Sequence, residues 1–369
     1  VSQEEFHGKH EKAAEPAKPM GYWADFRDSV SPRTVLLVIG VLALQIAFIW
    51  SYVGAFHNPS PHRIAVVVAV PGAPHPTQQQ LVTRLNAISG EPLQATAVGS
   101  AAQARQRLID GTDYAALVVD ATGTKDTLLT ASALGTSTVT AATRVFTQVE
   151  TAEHRQLTVT DIVPLQNEDY NGLTGFYLVI GWLVGGYLVA SLLGIAKGSR
   201  PSTLRRARLR LGVMAVYSIV GGLGGAIIVD PILGAMTGHF LALWWLGALI
   251  IASAATVTMA LQILFGIVGI GVTVLIFVVL GNPSATGAYQ APMLPTFWRT
   301  IAYWLPNGAG VDTVRRILYF GGNGILGHLI VICAWIVGGA IVALVAAYLM
   351  HHRTAKSSQP DSEHDVQLA

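Results

Sequence analysis

FLALWWLGALIIASAATVTMALQILFGIVGIGVTVLIFVVL, residues 240–280, runs for 41 residues without one Asp, Glu, Lys or Arg. A helix rises ~1.5 Å per residue, and ~20 apolar residues cross ~30 Å of hydrocarbon. The stretch is long enough for two crossings, and its most polar group, Gln262, predicts a tight turn over residues 259–265. A water-soluble core would leave such a run with no polar face to turn towards solvent.

Working outward, four further stretches lack all four charged residue types: 34–56, 173–196, 211–229 and 325–350. Each fits one crossing, so the sequence predicts six spans. Charged residues make up 12% of the chain against 52% apolar, with mean hydropathy +0.50, which excludes an ordinary water-soluble globular class. The fold expected is an α-helical integral membrane protein with about six transmembrane helices. Helix 1 covers 34–56, helices 2–6 lie within 172–350, and an extracytoplasmic α/β domain is inserted at 57–171.

Orientation follows from where Lys and Arg gather in short loops. Lys197, Arg200, Arg205, Arg206, Arg208 and Arg210 stand together with no acid among them, which predicts a cytoplasmic link. Residues 230–239 have neither Lys nor Arg and belong outside. Alternation then puts both termini in the cytoplasm, in agreement with Arg33, Arg353 and Lys356, and leaves 57–171 outside. The first span reads as an uncleaved signal anchor. Residues 1–20 and 351–369 read as cytoplasmic tails, the first of them disordered. Between tail and span, Tyr22, Trp23, Phe26 and Val30 recur at helical spacing, which predicts an interfacial helix over 21–33. Arginine outnumbers lysine, and Ala, Gly and Val abound; this composition points to a bacterial plasma membrane.

Within 57–171 strand and helix signals alternate. Strands are expected at 62–70, 93–98, 113–120, 127–133 and 157–163, and helices at 77–89, 100–110 and 136–155. Ser100 is the expected N-cap and Gly111 the stop of the second helix. The link 281–325 is broken by Pro283, Pro292, Pro295 and Pro306. Two amphipathic pieces, 296–305 and 310–320, are expected to lie at or dip into the outer leaflet.

Catalytic and energy-coupling motifs are absent. Residues 194–199, GIAKGS, misplace the lysine of a phosphate-cradling loop. This reading assigns no carboxylate or histidine to the spans and leaves only Asp230 and His239 at an outer rim, which argues against proton coupling. The lone Cys333 and scattered histidines give no metal set. No enzyme activity, no metal and no cofactor are expected in this chain, nor any nucleic-acid partner. Gly181 with Gly185, and Gly221 with Gly225, have the spacing of close helix crossings, suiting a packed bundle or a dimer equally.

Four segments carry a family likeness: IAVVVAVPGAP (64–74), AAQARQRLIDGTDYAALVV (101–119), DIVPLQNEDYNGLTGFYLVIGWLVGGYL (161–188) and GNPSATGAYQAPMLPTFWRTIAYWLPNGAGVDTVRRILYF (281–320). In their order the chain resembles the ABC-2 type export permeases, in particular the YhgE/Pip-like (phage-infection-protein) branch. The resemblance implies a permease subunit in the lipid bilayer, commonly a homodimer, driven by a cytoplasmic ATPase subunit that holds the ATP. It sets Tyr22, Trp23, Phe26 and Arg27, with Arg205, Arg206, Arg208 and Arg210, on the cytoplasmic face where partners dock. Pro292, Pro295, Pro306, Arg315 and Arg316 match the external hairpin. An alternative expectation is an envelope scaffold, secretion accessory or phage-receptor-like surface protein without transport activity.

Overall fold

The computed structural model describes residues 22, 23, 26, 30–198 and 203–357, and the chain divides into two units, Val1–Gln45 and Ile46–Ala369. In the first, Tyr22, Trp23 and Phe26 are helical and their rings meet edge to face, at centroid distances of 5.7 and 6.1 Å. Helix α1, Pro32–Phe56, starts there. Pro32 needs no N–H at the first helical position, and the Ser31 hydroxyl accepts the Thr34 N–H at 3.3 Å. Residues 21, 24, 25 and 27–29 of the expected interfacial helix, Arg27 included, lie outside the described residues, as do tail residues 1–20 and 358–369.

After the end of α1, the second unit forms a five-stranded sheet. Its elements run β1 (Ile64–Ala69), α2 (His75–Asn86), β2 (Leu93–Val98), α3 (Ala101–Ile109), β3 (Ala115–Val118), β4 (Lys125–Thr130), α4 (Thr136–Ala152) and β5 (Gln156–Asp161). The sheet order is β2-β1-β3-β4-β5, all pairs parallel except β3 with β4. Central β1 is apolar throughout because both of its faces are covered. Ile64, Val66 and Val68 meet Leu85 of α2 and Phe146 of α4 in one core, while Val67 and Ala69 meet Ala104 and Leu108 of α3 in another. The Ser100 hydroxyl accepts the Gln103 N–H at 3.2 Å, and Gly111 takes a φ of +68°, so the expected cap and stop are both in place.

At the β4 end, Arg155 ties three segments together. Its guanidinium donates to the Asp126 carboxylate, to Asp120 O at 2.8 Å and to Gly123 O at 3.1 Å. Glu150 stands 3.6 Å from the same Nε and is buried. Burial and the neighbouring Asp126 carboxylate push Glu150 up to about 7. Between the ordinary 4.5 and 7 the folded chain therefore holds a proton that the unfolded chain releases. This group's contribution is full below about pH 4.5 and disappears as pH rises through 7. Thermal unfolding of the detergent-solubilised chain should show stability falling by about 1–2 kcal/mol between pH 5 and 8, after discounting for solvent access. Glu150→Gln, which keeps a donor without a charge, should flatten that fall; an unchanged slope would refute the assignment.

The rest of the unit is helical. α5 (Thr174–Lys197), α6 (Leu204–Ile227, continued by a π turn Ile228–Ile232), α7 (Phe240–Phe265), the shorter α8 (Val268–Ser284), α9 (Thr296–Ile301), α10 (Pro306–Tyr319) and α11 (Ile325–Ser357) follow in order. Among the described residues, five helices are long and apolar enough to cross a membrane: Thr34–Phe56, Thr174–Lys197, Leu204–Ile232, Phe240–Phe265 and Ile325–Met350. The 41-residue run does divide in two, but its second half is a 17-residue helix, below the length of the other five. The turn also falls later than expected. Gly266, at φ +63°, breaks the chain, while Gln262 stays inside α7, buried, with its Nε2 3.4 Å from Ser191 O. One amide satisfied by a neighbouring helix gives no reason to stop a helix; a left-handed glycine does.

α7 is the hub, buried along most of its length against α5, α6 and α11. Close approach is made by Gly186, Gly222 and Gly247, where a Cβ would meet Ile251 O at 2.4 Å, Trp244 O at 2.6 Å and the Trp182 ring at 2.5 Å. Of the glycines singled out by spacing, Gly225 abuts Trp182 and Gly221 meets Ile251, whereas Gly181 has nothing within 4 Å. These crossings are satisfied within one chain.

Candidate functional site

The link after α8 is woven into both the sheet and the bundle. It leaves α8 through Thr286, an αL residue at φ +58°, and reaches the sheet at once. The Gln290 side chain enters the N-terminal turn of α4. Its Oε1 accepts from Ser137 Oγ at 2.8 Å and Thr138 Oγ1 at 3.0 Å, and its Nε2 donates to Gly287 O at 3.3 Å. Gly135 leaves the room, since a Cβ there would lie 2.1 Å from Gln290 Cδ. α4 lacks a capping side chain of its own, and an amide from 152 residues away does that work. Pro292 O accepts the His62 N–H at 2.9 Å, and Met293 is buried in the sheet's core.

α10 is buried on almost every side. It packs against α5, α7 and α11, and through Tyr319 and Phe320 against the sheet, where Phe320 joins the core of α3. A helix with no free face needs its polar groups paired. Asp312, 4% exposed, takes Arg315 Nη1 at 3.2 Å on one oxygen and Arg316 Nε at 2.5 Å on the other, with His328 Nδ1 at 3.4 Å. Arg315, 7% exposed, also donates to Thr286 O at 3.1 Å, and Arg316 to Asn323 O at 3.0 Å. Burial works against the Asp312 charge, but the two arginines overcome it and hold the carboxyl below the ordinary carboxylate range. Tyr303 stacks near the His328 ring at 5.2 Å.

One turn further on, Tyr319 OH donates to Asp169 Oδ2 at 2.7 Å and accepts the Gln166 N–H at 3.3 Å, and Asp169 Oδ1 caps α5 through the Thr174 N–H at 3.0 Å. A cavity of about 10 Å³, the size of one water molecule, lies between Asp169, Arg315 and Tyr319. α10 thus carries two carboxylate bonds in series: one to its own arginines, one to the segment joining β5 to α5.

Of the residues expected in the hairpin, Arg315 and Arg316 come together on Asp312, Pro295 and Pro306 start α9 and α10, and Pro292 sits in the turn held by His62. The piece expected at 310–320 is part of a longer helix. The helix begins at Pro306 and its apolar and polar faces are both enclosed by protein. Arg205, Arg206 and Arg208 are exposed on the first turns of α6, and Arg210 donates to Lys197 O at 2.9 Å. Tyr22, Trp23 and Phe26 are exposed.

The reading that no histidine stands in a span also needs correction, since His328 lies in the first turn of the Ile325–Met350 span. Asp312, Tyr303, Tyr319 and Asp169 were not singled out either. One signal was available for Asp312: it precedes Arg315 and Arg316 by three and four residues, the spacing at which helical side chains meet.

Comparison with families of known proteins matches residues 32–349 to the family described as ABC-2 family transporter protein. No curated protein and no solved structure matches the chain. The matched region takes in the sheet, the link and, to within one residue, the five long apolar helices found among the described residues. The chain therefore belongs to the ABC-2 transporter family, and is a multi-pass membrane protein of the transport-permease class.

Proposed function

We propose that the chain is the membrane subunit of an ABC-2 type exporter of the YhgE/Pip-like branch, working as a homodimer in a bacterial plasma membrane. It moves its substrate outward with energy from a separate cytoplasmic ATPase, and ATP binds on that partner. α8 completes a sixth crossing: its 17 residues reach ~25 Å, at the short end of the range for a span. Both termini then face the cytoplasm, the sheet and the 281–325 hairpin face outside, and the arginines of the α5–α6 link face inside. The cytoplasmic ATPase is contacted by Arg205, Arg206, Arg208 and Arg210 and, as a separate element, by Tyr22, Trp23, Phe26 and Arg27.

The single observation that carries this reading is the family match across residues 32–349. Because the match includes the sheet, the sheet is read as part of the transporter. Force delivered at the cytoplasmic ends of α5 and α6 reaches α7 through glycine-tight crossings, and α10, wedged between α7 and the sheet, passes it outward through Asp312 and Asp169.

Purification of tagged, natively expressed chain in mild detergent should recover an ATPase with a phosphate-cradling loop. Reversing charge at Arg205, Arg206 and Arg208 together should release it while the permease stays monodisperse. Recovery of no such ATPase from membranes in which the chain is abundant would sink the ATP-driven reading.

A further inference from the structure

A guanidinium taken out of water needs an acceptor for each N–H that it can no longer hydrate, and Arg315 has too few. An arginine side chain carries five N–H groups. Among the described residues one is taken by Asp312 Oδ1 at 3.2 Å and one by Thr286 O at 3.1 Å. Arg315 is 7% exposed, which leaves little surface to hydrate the rest. Across the small cavity beside it stands a group with the opposite shortage. Asp169 is buried and accepts one bond on each oxygen, from the Thr174 N–H and from Tyr319 OH, whereas a carboxylate offers about four acceptor positions. Arg315 and Asp169 line the same cavity and form no direct ion pair among the described residues. The volume between them, about 10 Å³, suits one water molecule. An anion there would meet Asp169 and a cation would meet Arg315, so a small neutral donor and acceptor fits both walls.

We infer that this cavity is the site of one ordered water that accepts an N–H of Arg315 and donates to the Asp169 carboxylate and to the Tyr319 hydroxyl oxygen. Three bonds are the usual complement of a buried water. Tyr319 has a lone pair for the third, since its proton goes to Asp169 and its oxygen otherwise accepts only the Gln166 N–H. The water joins two polar groups that are otherwise separate. Thr286 O, Arg315 and Asp312 hold α10 to the segment that follows α8, while Asp169, Tyr319 and the Thr174 N–H hold it to the start of α5. With the water between them, a shift of α10 that strains one group is felt by the other. Because a water is neutral, it satisfies spare donors of Arg315 without replacing Asp312 as the counter-charge. The site stands whether or not an ATPase drives the chain.

X-ray radiolysis of the full-length protein in detergent tests this, because water split in place oxidises the side chains beside it and methionine is readily converted to its sulfoxide. Met236 lines the cavity and is buried. Met214 and Met259 are also buried, in an apolar core between α5, α6, α7 and α11. Peptide mass spectrometry should show Met236 oxidised several-fold faster than either of them. Val311→Ile then adds one methylene to the cavity wall. It should bring Met236 down to the rate of Met214 and lower the unfolding temperature, since a methyl group cannot reproduce the bonds of a displaced water. Met236 as protected as Met214 in the parent chain overturns the inference. A rise in unfolding temperature with Val311→Ile, the response of a dry cavity that has been filled, does the same. So does Met236 oxidation that Val311→Ile leaves unchanged, which would trace to bulk solvent.

Discussion

Asp312→Asn is expected to lower the unfolding free energy of the full-length protein by ~3–5 kcal/mol, the usual cost of leaving a buried charge without its partner. Asparagine keeps the shape and one acceptor but removes the charge. Arg316 retains a carbonyl bond and partial access to solvent, so it tolerates the change. Arg315 does not, being 7% exposed with only Thr286 O left to face. Tryptophan fluorescence or scattering during thermal unfolding in detergent would report the loss. Adding Arg315→Gln to Asp312→Asn should recover a large part of it, because removing both charges of a buried pair is often nearly neutral. The pH dependence has a definite sign. Asp312 is depressed in the fold, so its contribution is complete above the ordinary carboxylate value and is lost as pH falls through the folded one. The gap between parent and Asp312→Asn should therefore be level from pH 5 to 8 and close only in stronger acid. A gap below ~1 kcal/mol at pH 7 would show that α10 is not held by this carboxylate.

Gly222→Val should be nearly as damaging. A Cβ at Gly222 falls 2.6 Å from both Ala248 N and Trp244 O, which are main-chain atoms of α7 and cannot swing aside. Helices in lipid associate through close van der Waals contact rather than by excluding water, so separating α6 from α7 removes the attraction itself. Overpacking of this kind costs ~1–3 kcal/mol. Gly224, two positions on, has nothing within 4 Å. Gly224→Ala should be neutral or slightly stabilising, by up to ~1 kcal/mol from helix propensity. Monodispersity after heating, measured for both variants side by side, checks the pair. Equal losses would mean that α6 is sensitive to any added bulk and that the Gly222 crossing has no special part in holding the bundle.

Features decided between near neighbours in the chain were legible in the sequence, and those decided by distant contacts were not. The strand and helix order of residues 64–161 was legible because β1 is an unbroken apolar run, Ser100 caps α3, and Gly111 stops it. The position of the α7–α8 turn was not. Gln262 is the most polar group of the run and predicts the break there, whereas its amide reaches Ser191 on α5 and stays buried. Likewise the mixed composition of α10 read as an amphipathic surface helix. Its charged residues are in fact paired with one another and with Thr286 O and Asn323 O, so a polar stripe does not mean a wet face.

By itself, then, the sequence determined that this is a membrane protein of long uncharged helices carrying a βαβαββαβ segment. Helix and strand signals are local, and twenty apolar residues in a row need no tertiary context to be insoluble in water. Only the tertiary structure decided which glycines touch, since five residues turn a helix by a net ~140°, which leaves Gly181 in open space and puts Gly186 against α7. It alone joined Gln290 to α4, Tyr319 to Asp169 and His328 to Asp312. Contacts between groups far apart in the chain depend on how whole elements dock, and no spacing along the sequence encodes that docking.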